Sequence, residues 1–506
     1  MNLLSRIGFP LVVLLACLPG ARAQSGCTGP DGSLFNLEPR SNGVVQAALS
    51  VATIPNRVGA NMDLVVATAY DARGLGGSND GFYVQRSNAN CAPDFEGGLP
   101  FIGLFAPNGT PTAIADAARD AFFAVDLRFQ TDPDENGVGI LRTTSSNLLS
   151  VTACPSGTQT TSAACWPVAA VANITELNAP LSSPHLAVDP RKIGSATGAG
   201  DLYTVVTQRA LNGSDTGVSL TACTNLDLQC GSSITISGAD TNADFGYVQV
   251  RADGLITISY RNTTFPGVNP ETIKFVTCTP NGAPKAPVCG SPRVVITEND
   301  PVFATLIGDL PMLDQLYPRH VNRLESDGKT FTTFLVYDRC DVAVIQQAGA
   351  GGNFCAKTDV AVTSSTNAGA SWSPSAKVTP SAGQQFFGAV ALDKSTNTTN
   401  IAYYSTENDP FQLRPQVFLA QILPGSTSVE TPQLLTSAFG DVQASPPIVA
   451  LDQPAGFGDR LGMAVGGTGE TGRSRVYVGF TWDSVFGIYD GVSSPDVNNH
   501  LANLQY

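Results

Sequence analysis

The stretch Thr358-Asp-Val-Ala-Val-Thr-Ser-Ser-Thr-Asn-Ala-Gly-Ala-Ser-Trp-Ser373 decides the fold. It begins as an alternating strand, turns through a polar segment and ends on a tryptophan. Asn367 suits an Asx-type turn, in which its side chain captures backbone N–H groups further along. Gly369 supplies a positive φ without steric cost. Trp372 gives a short hairpin a large apolar anchor. These residues predict a structural clip between two antiparallel strands.

Around this hairpin the chain repeats. A short apolar strand ending near an Asp, a turn and a second apolar strand recur about every 60 residues, the signature of a repeat architecture. First strands are expected at Ala121–Asp126, Leu186–Asp189, Tyr247–Asp253, Val321–Asp327 and Ala389–Asp393. Second strands follow at Leu202–Thr207, Leu255–Arg261, Phe331–Asp338 and Ile401–Thr406, with Leu64–Tyr70 in an earlier unit. Leu461–Val465 and Val476–Asp483 form a last unit. The count is seven, with six as the alternative because Asp452 complicates the final connection. Strand-rich units of about 60 residues predict an all-β fold, a β-propeller of four-stranded antiparallel blades. Immunoglobulin-like sandwiches would need units of about 100 residues. The ring is expected to close by pairing an early strand, Val44–Val51, with the last strand near His500–Tyr506.

Composition agrees. The 506 residues include 50 Gly and 34 Pro, and only 14% are charged, which favours many short strands and turns. The net charge of −14 excludes nucleic acid as a partner, since that needs a cationic footprint. Met1 to Arg6 carries a positive charge, an apolar run spans Ile7 to Leu18, and Ala21-Arg22-Ala23 precedes Gln24. This reads as a secretory leader over residues 1–23. The expected organisation is then a tail over 24–43, tied by Cys27, and one propeller over 44–506. Leu14-Leu15-Ala16-Cys17 only faintly matches a lipid-attachment site, so anchoring at Cys17 is disfavoured. No later run reaches the ~20 apolar residues of a membrane span.

Of eleven cysteines, one lies in the leader, leaving an even number for an oxidising compartment. Their order predicts Cys154–Cys165, Cys223–Cys230, Cys278–Cys289 and Cys340–Cys355, leaving Cys27–Cys91. The first three pairs sit where Ser365–Trp372 sits in its own unit, so a cross-link there replaces the polar clip. Cys340–Cys355 instead joins a second strand to a third. Each closes a small loop worth about 3 kcal/mol in the chain-entropy account.

The pattern Ser365-x-Asn367-x-Gly369-x-Ser371-Trp372 resembles the Asp-box, or BNR repeat, of sialidase-like β-propellers. The chain end, with Gly458-Asp459-Arg-Leu-Gly-Met-Ala and Arg475-Val-Tyr-Val-Gly-Phe-Thr-Trp, looks like the closing blade of secreted BNR-repeat proteins. The resemblance implies that this turn joins the third and fourth strands of a blade, away from the ligand. It places the ligand on the face built by blade-to-blade connections and second-to-third strand loops. On that face are expected Arg119, Asp120, His185, Asp244, Tyr247, Tyr317 to His320, Glu407 to Arg414, and Asp459-Arg460. A sialidase clamps a carboxylate with three arginines, since the guanidinium fork matches it bidentately. Arg319, Arg414 and Arg460 are candidates, with Tyr317 or Tyr404 as nucleophile, although the family's early arginine motif is missing. Propeller lyases use His, Tyr and Arg to remove a proton beside a uronate, which makes His185 and His320 candidates.

Asp132-Pro-Asp134-Glu-Asn136-Gly137 fits the start of a calcium loop, three oxygen side chains converging on a hard cation. The bidentate Glu expected at the twelfth position is replaced by Thr143, and the same residues also suit a plain turn. The sequence thus predicts a secreted propeller presenting a loop-built face to a glycan or cell-surface protein without catalysis. The alternatives are a glycosidase or polysaccharide lyase, and a structural cell-surface protein. Oligomeric state is not written in the sequence.

Overall fold

The computed structural model describes the chain from Leu34 to Gln505 apart from residues 37–45, 60–61, 76–77, 86–93, 108, 110, 132–133, 156–162, 177–180, 210–214, 241, 263–270, 299–303, 308–309, 313–316, 342–344, 347–352, 356, 437–438, 441–460, 469–473 and 490–491. Seven antiparallel sheets stand in a ring, giving a seven-bladed β-propeller. The innermost strands, in order, are Gln46–Gly59, Thr112–Asp116, Leu181–Val188, Ala243–Val250, Arg319–Leu324, Gln385–Asp393 and Gly462–Thr468. Each touches the next, and the seventh touches the first.

The core is divided accordingly. Seven apolar clusters fill the seven gaps between neighbouring blades. Second strands are therefore covered on both faces and buried along most of their length, with Thr and Ser among the apolar residues. Phe331–Cys340 in blade five is buried over its first eight residues. Polar clamps cross the same gaps. Thr68 Oγ1 donates to the Pro111 carbonyl (3.2 Å), and Ser259 Oγ to that of Pro318 (2.9 Å). Both prolines precede the inner strand of the next blade.

The Ser365–Trp372 turn joins the third strand of blade five, Thr358–Ser365, to its fourth, Ala376–Lys377. Asn367 Oδ1 accepts the Ser371 N–H (2.9 Å), and Ser365 Oγ accepts that of Gly369 (2.9 Å). Gly369 has φ +78°, and a Cβ there would lie 2.4 Å from Phe275 in blade four. Trp372 packs edge-on against the same Phe275 ring, 5.2 Å between centroids. The clip thus holds its own hairpin and the neighbouring blade together.

Disulfides Cys154–Cys165, Cys223–Cys230 and Cys278–Cys289 occupy the equivalent hairpins of blades two, three and four. Cys340–Cys355 ties the end of the second strand of blade five not to the third strand, Thr358–Ser365, but to Asn353–Cys355 just before it. Beside it stands a small accessory sheet of Ala304–Ile307, Leu310–Met312, Ile345–Gln346 and Asn353–Cys355. Cys27 and Cys91 lie outside the described residues.

Two expectations need correction. Ala121–Asp126 belongs to the second strand of blade two, Ala121–Thr131, because Ala117–Arg119 forms a single helical turn that folds Thr112–Asp116 back onto it. Both strands are largely apolar and both run into an Asp, which is why one passed for the other. The ring closes through a different early strand. Leu34–Asn36 pairs with His500–Ala502 as the outermost strand of blade seven, while Gln46 to Val51 belong to the innermost strand of blade one.

Closure is reinforced by a buried carboxylate. Asp63 in blade one accepts from Arg475 Nη2 (2.7 Å) and Tyr477 Oη (3.0 Å) of blade seven, and from the Asn56 and Gly467 N–H groups. Breaking such a pair leaves an uncompensated charge, at about 3–5 kcal/mol. Arg475→Ala should therefore lower the unfolding free energy by about that amount, measured by urea denaturation. A change within ~0.5 kcal/mol, the range of ordinary surface substitutions, would show that strand pairing alone closes the ring.

Candidate functional site

The inner strands enclose an axial channel of about 880 Å³. Its mouth, at the starts of these strands, is shaped by bulges. Pairing with the second strand slips between Ser182 and His185, Asp244 and Tyr247, and Phe386 and Ala389. Ser183, Phe245 and Phe387 lie there at φ +52°, +53° and +57°, a region that bulky side chains enter only when their surroundings hold them. Bulges of this kind re-aim side chains at barrel rims and beside sites. The holders are visible. Asp244 Oδ1 accepts the Phe245 N–H (2.6 Å), and Asp338 accepts the N–H groups of Phe387 (2.7 Å) and Gly388 (3.1 Å). Gly246 and Gly388 then let the inner strand approach the preceding blade. A Cβ would lie 2.7 Å from Val218 in the first case and 2.8 Å from Val336 in the second.

Blades three to five supply an aromatic cluster at this mouth. The His185 and Tyr247 rings lie 3.9 Å apart, and those of Phe245 and Tyr317 lie 4.1 Å apart. Tyr247 Oη accepts from Gln249 Nε2 (3.2 Å). Burial raises the Tyr247 phenol above its usual value, and the Arg319 charge opposes this in part. Arg319 reaches from blade five to donate to the Leu461 carbonyl at the start of blade seven. His185 Nδ1 accepts the Val248 N–H (3.3 Å), so in the neutral ring the proton sits on Nε2.

His320 lies behind this layer, fully buried. Its ring nitrogens share hydrogen bonds with Thr257 Oγ1 and Ser259 Oγ, both at 2.9 Å. Burial pushes its pKa down to about 3, against a weaker upward pull from Thr257. It is a neutral structural ring that ties blade five to blade four.

The other expected residues are dispersed. Arg414 sits on the second-to-third strand loop of blade six, 2.9 Å from Asp409 and over the Phe439 ring, and is not among the channel-lining residues. Tyr404 is buried and stacks on Phe386. Arg460 lies outside the described residues, and of the two described arginines Arg319 lines the mouth. Arg119 and Asp120 follow an inner strand rather than precede one, which places them on the opposite face. There Arg119 pairs with Asp116, and Asp120 with Arg57. The channel-lining carboxylates among the described residues, Asp116 and Glu325, also stand at that far end, with Lys394.

The calcium candidate lies in a hairpin between the second and third strands of blade two. Asp134 pairs with Thr131 and Asn136 with Phe129, and Asp132 lies outside the described residues. Among the described residues no group of three His, Cys, Asp or Glu side chains is placed to hold a metal, and no helix is long and apolar enough to cross a membrane.

No known family model and no curated protein matches the sequence. Solved structures similar to the chain include the GH93 α-L-arabinofuranosidase of Fusarium graminearum with arabinobiose. Its TM-score is 0.42 and its identity 9%, covering 78% of this chain and 98% of that one. The α-L-arabinanase of Penicillium chrysogenum gives 0.42 and 10%, with the same coverage. A PL25 ulvan lyase gives 0.37 and 11%, covering 79% and 87%. Likeness at this level carries no argument about activity.

Phe245 and Phe387 escaped sequence reasoning. The available signal was the Phe-Gly pair at the start of an inner strand, Phe245-Gly246 and Phe387-Gly388.

His320 carries a sign-definite pH dependence. Its folded pKa lies below the unfolded value of ~6.5, so the unfolded chain binds more protons between pH ~3 and ~6.5. Its contribution is present above pH ~6.5 and is lost as pH falls through that window. Stability measured by urea denaturation at pH 7, 5 and 4 should fall more steeply in the native protein than in His320→Gln. Parallel slopes would refute the assignment.

Proposed function

We propose that this propeller binds a glycan at the mouth of its axial channel, without turning it over. The cluster of Tyr247, Tyr317, His185 and Arg319, backed by the buried Phe245 ring, carries the reading. Aromatic faces offer apolar area to the C–H faces of a sugar ring while their polar tips bond its hydroxyls. A guanidinium adds charge-assisted hydrogen bonds to hydroxyl or carboxylate oxygens.

The placement of the candidate groups among the described residues supports binding over turnover. Glycoside hydrolysis uses two carboxylates flanking the scissile bond, and the channel-lining Asp116 and Glu325 stand at the other end of the channel. Proton abstraction beside a uronate needs an available base. His185 Nδ1 is occupied by a backbone N–H, His320 is sealed behind the mouth, and Tyr247 is held in its phenol form. The four cystines and the leader-like start support a secreted protein working outside the cytoplasm.

Isothermal titration against di-, tetra- and octasaccharides of galacturonan and arabinan tests this. At least one series should bind, and Tyr317→Ala and Arg319→Ala should each weaken it about tenfold, which is ~1.4 kcal/mol. Steady release of shorter or unsaturated products, abolished by Arg319→Ala, would replace binding with catalysis.

A further inference from the structure

Two loops on the mouth face present apolar rings to solvent on rigid supports. The first joins blade one to blade two. Leu99-Pro-Phe-Ile-Gly-Leu-Phe-Ala-Pro107 contains no charged residue, and none follows before Thr112. Ile102 and Phe105 exchange backbone hydrogen bonds (3.1 and 3.0 Å) across a tight turn in which Gly103 has φ +60°. Phe101 is 46% exposed and Leu104 75%. The base of the loop is gripped from inside. Arg128 Nη1 donates to the carbonyls of Pro100 (2.9 Å) and Phe105 (3.4 Å). Arg128 is itself fixed by two 2.7 Å bonds to Asp126, in a pair with no solvent exposure.

The second loop joins the second and third strands of blade six and carries Phe411, 77% exposed. Its support is again a buried carboxylate. Asp409 accepts the Leu413 and Arg414 N–H groups (2.9 and 3.0 Å) and Arg414 Nη2 (2.9 Å). Burial works to raise the Asp409 carboxyl, but these donors outweigh it and hold it below its ordinary range. The Thr406 N–H donates to the Gln384 carbonyl (3.0 Å), fixing the loop beside the start of the inner strand.

Exposed rings on chain this well held suit a ligand, because little ordering entropy is lost when they are covered. The two loops come from different sectors of the ring, with the cluster of blades three to five between them. Resting on the glycan reading above, we infer that the ligand is an interior stretch of a long glycan chain. It lies across the mouth, with Phe101 and Phe411 stacking against sugar rings on either side of the central cluster. The two rings set a preference for chain length, and the central cluster sets the preference for sugar type.

The galacturonan and arabinan oligosaccharides test this by length. The native protein should bind the octasaccharide of its preferred series more tightly than the disaccharide. Phe101→Ser and Phe411→Ser should each remove about two- to tenfold of octasaccharide affinity, the range expected of one aromatic stack. Disaccharide affinity and melting temperature should be unchanged, since both side chains are exposed. Equal native affinity at all lengths overturns the inference, as does undiminished octasaccharide binding in both variants. Both outcomes leave the glycan reading standing, whereas failure of every oligosaccharide to bind removes that reading too. A dimer in sedimentation that these substitutions dissociate, with glycan affinity intact, would assign the rings to a contact between copies and overturn the inference.

Discussion

Everything in this molecule depends on the first and last blades meeting. A propeller protects its sheet edges only by completing the circle, since each blade hides its faces against two neighbours. The contact that completes it joins Asp63 to Arg475 and Tyr477, more than four hundred residues along the chain. The apolar slab of Leu49, Val65, Tyr83, Tyr477 and Leu501 lies in the same gap. The strand Leu34–Asn36 adds a covalently continuous latch, because the chain leaves blade seven and enters blade one without a break. The carboxylate adds direction to what apolar packing alone would leave permissive, as Asp63 is satisfied only when both blades are in register.

Once closed, the ring dictates where chemistry can sit. Seven inner strands cannot converge without leaving an axial opening, and what lines it depends on how each strand begins. The bulges at Ser183, Phe245 and Phe387 break the alternation that would otherwise fix which side chains face the axis. Asp244 and Asp338 hold the costly backbone with short hydrogen bonds, and Gly246 and Gly388 accommodate the close approach behind it. The same device, a buried carboxylate gathering N–H donors, rigidifies the Phe411 loop through Asp409. A buried Asp–Arg pair does the equivalent for the Phe101 loop. Mouth and rim are thus built by one principle: local strain or exposure is tolerated where a buried charge has its donors supplied.

The two histidines illustrate how environment separates like residues. His185 and His320 both lie on inner strands, each directly after a proline or a Pro-Arg pair. His185 lines the channel against Tyr247, with one nitrogen committed to the backbone. His320 is enclosed by Thr257, Ser259 and the Phe275 ring, and burial keeps it neutral. The strand of His185 slips in register just before it, between Ser182 and His185, whereas Arg319–Leu324 pairs without a slip.

By itself the sequence determined the all-β class, the number of blades, most first and second strands, and the four described cystines. These are local matters. A strand–turn–strand unit, a polar clip at Ser365–Trp372 or a pair of nearby cysteines is written in a few dozen consecutive residues. It also marked the start of one inner strand through Tyr317 to His320 and the middle of two others through His185 and Tyr247. Only the tertiary structure decided that Leu34–Asn36 closes the ring, that Arg414 is held by Asp409 away from Arg319, and that Phe245 belongs to the mouth. Those outcomes depend on which residues meet across the circle and on single-residue slips of strand register. Neither leaves a periodic trace along the chain, since a bulge looks like ordinary alternation and a partner four hundred residues away looks like any other charge.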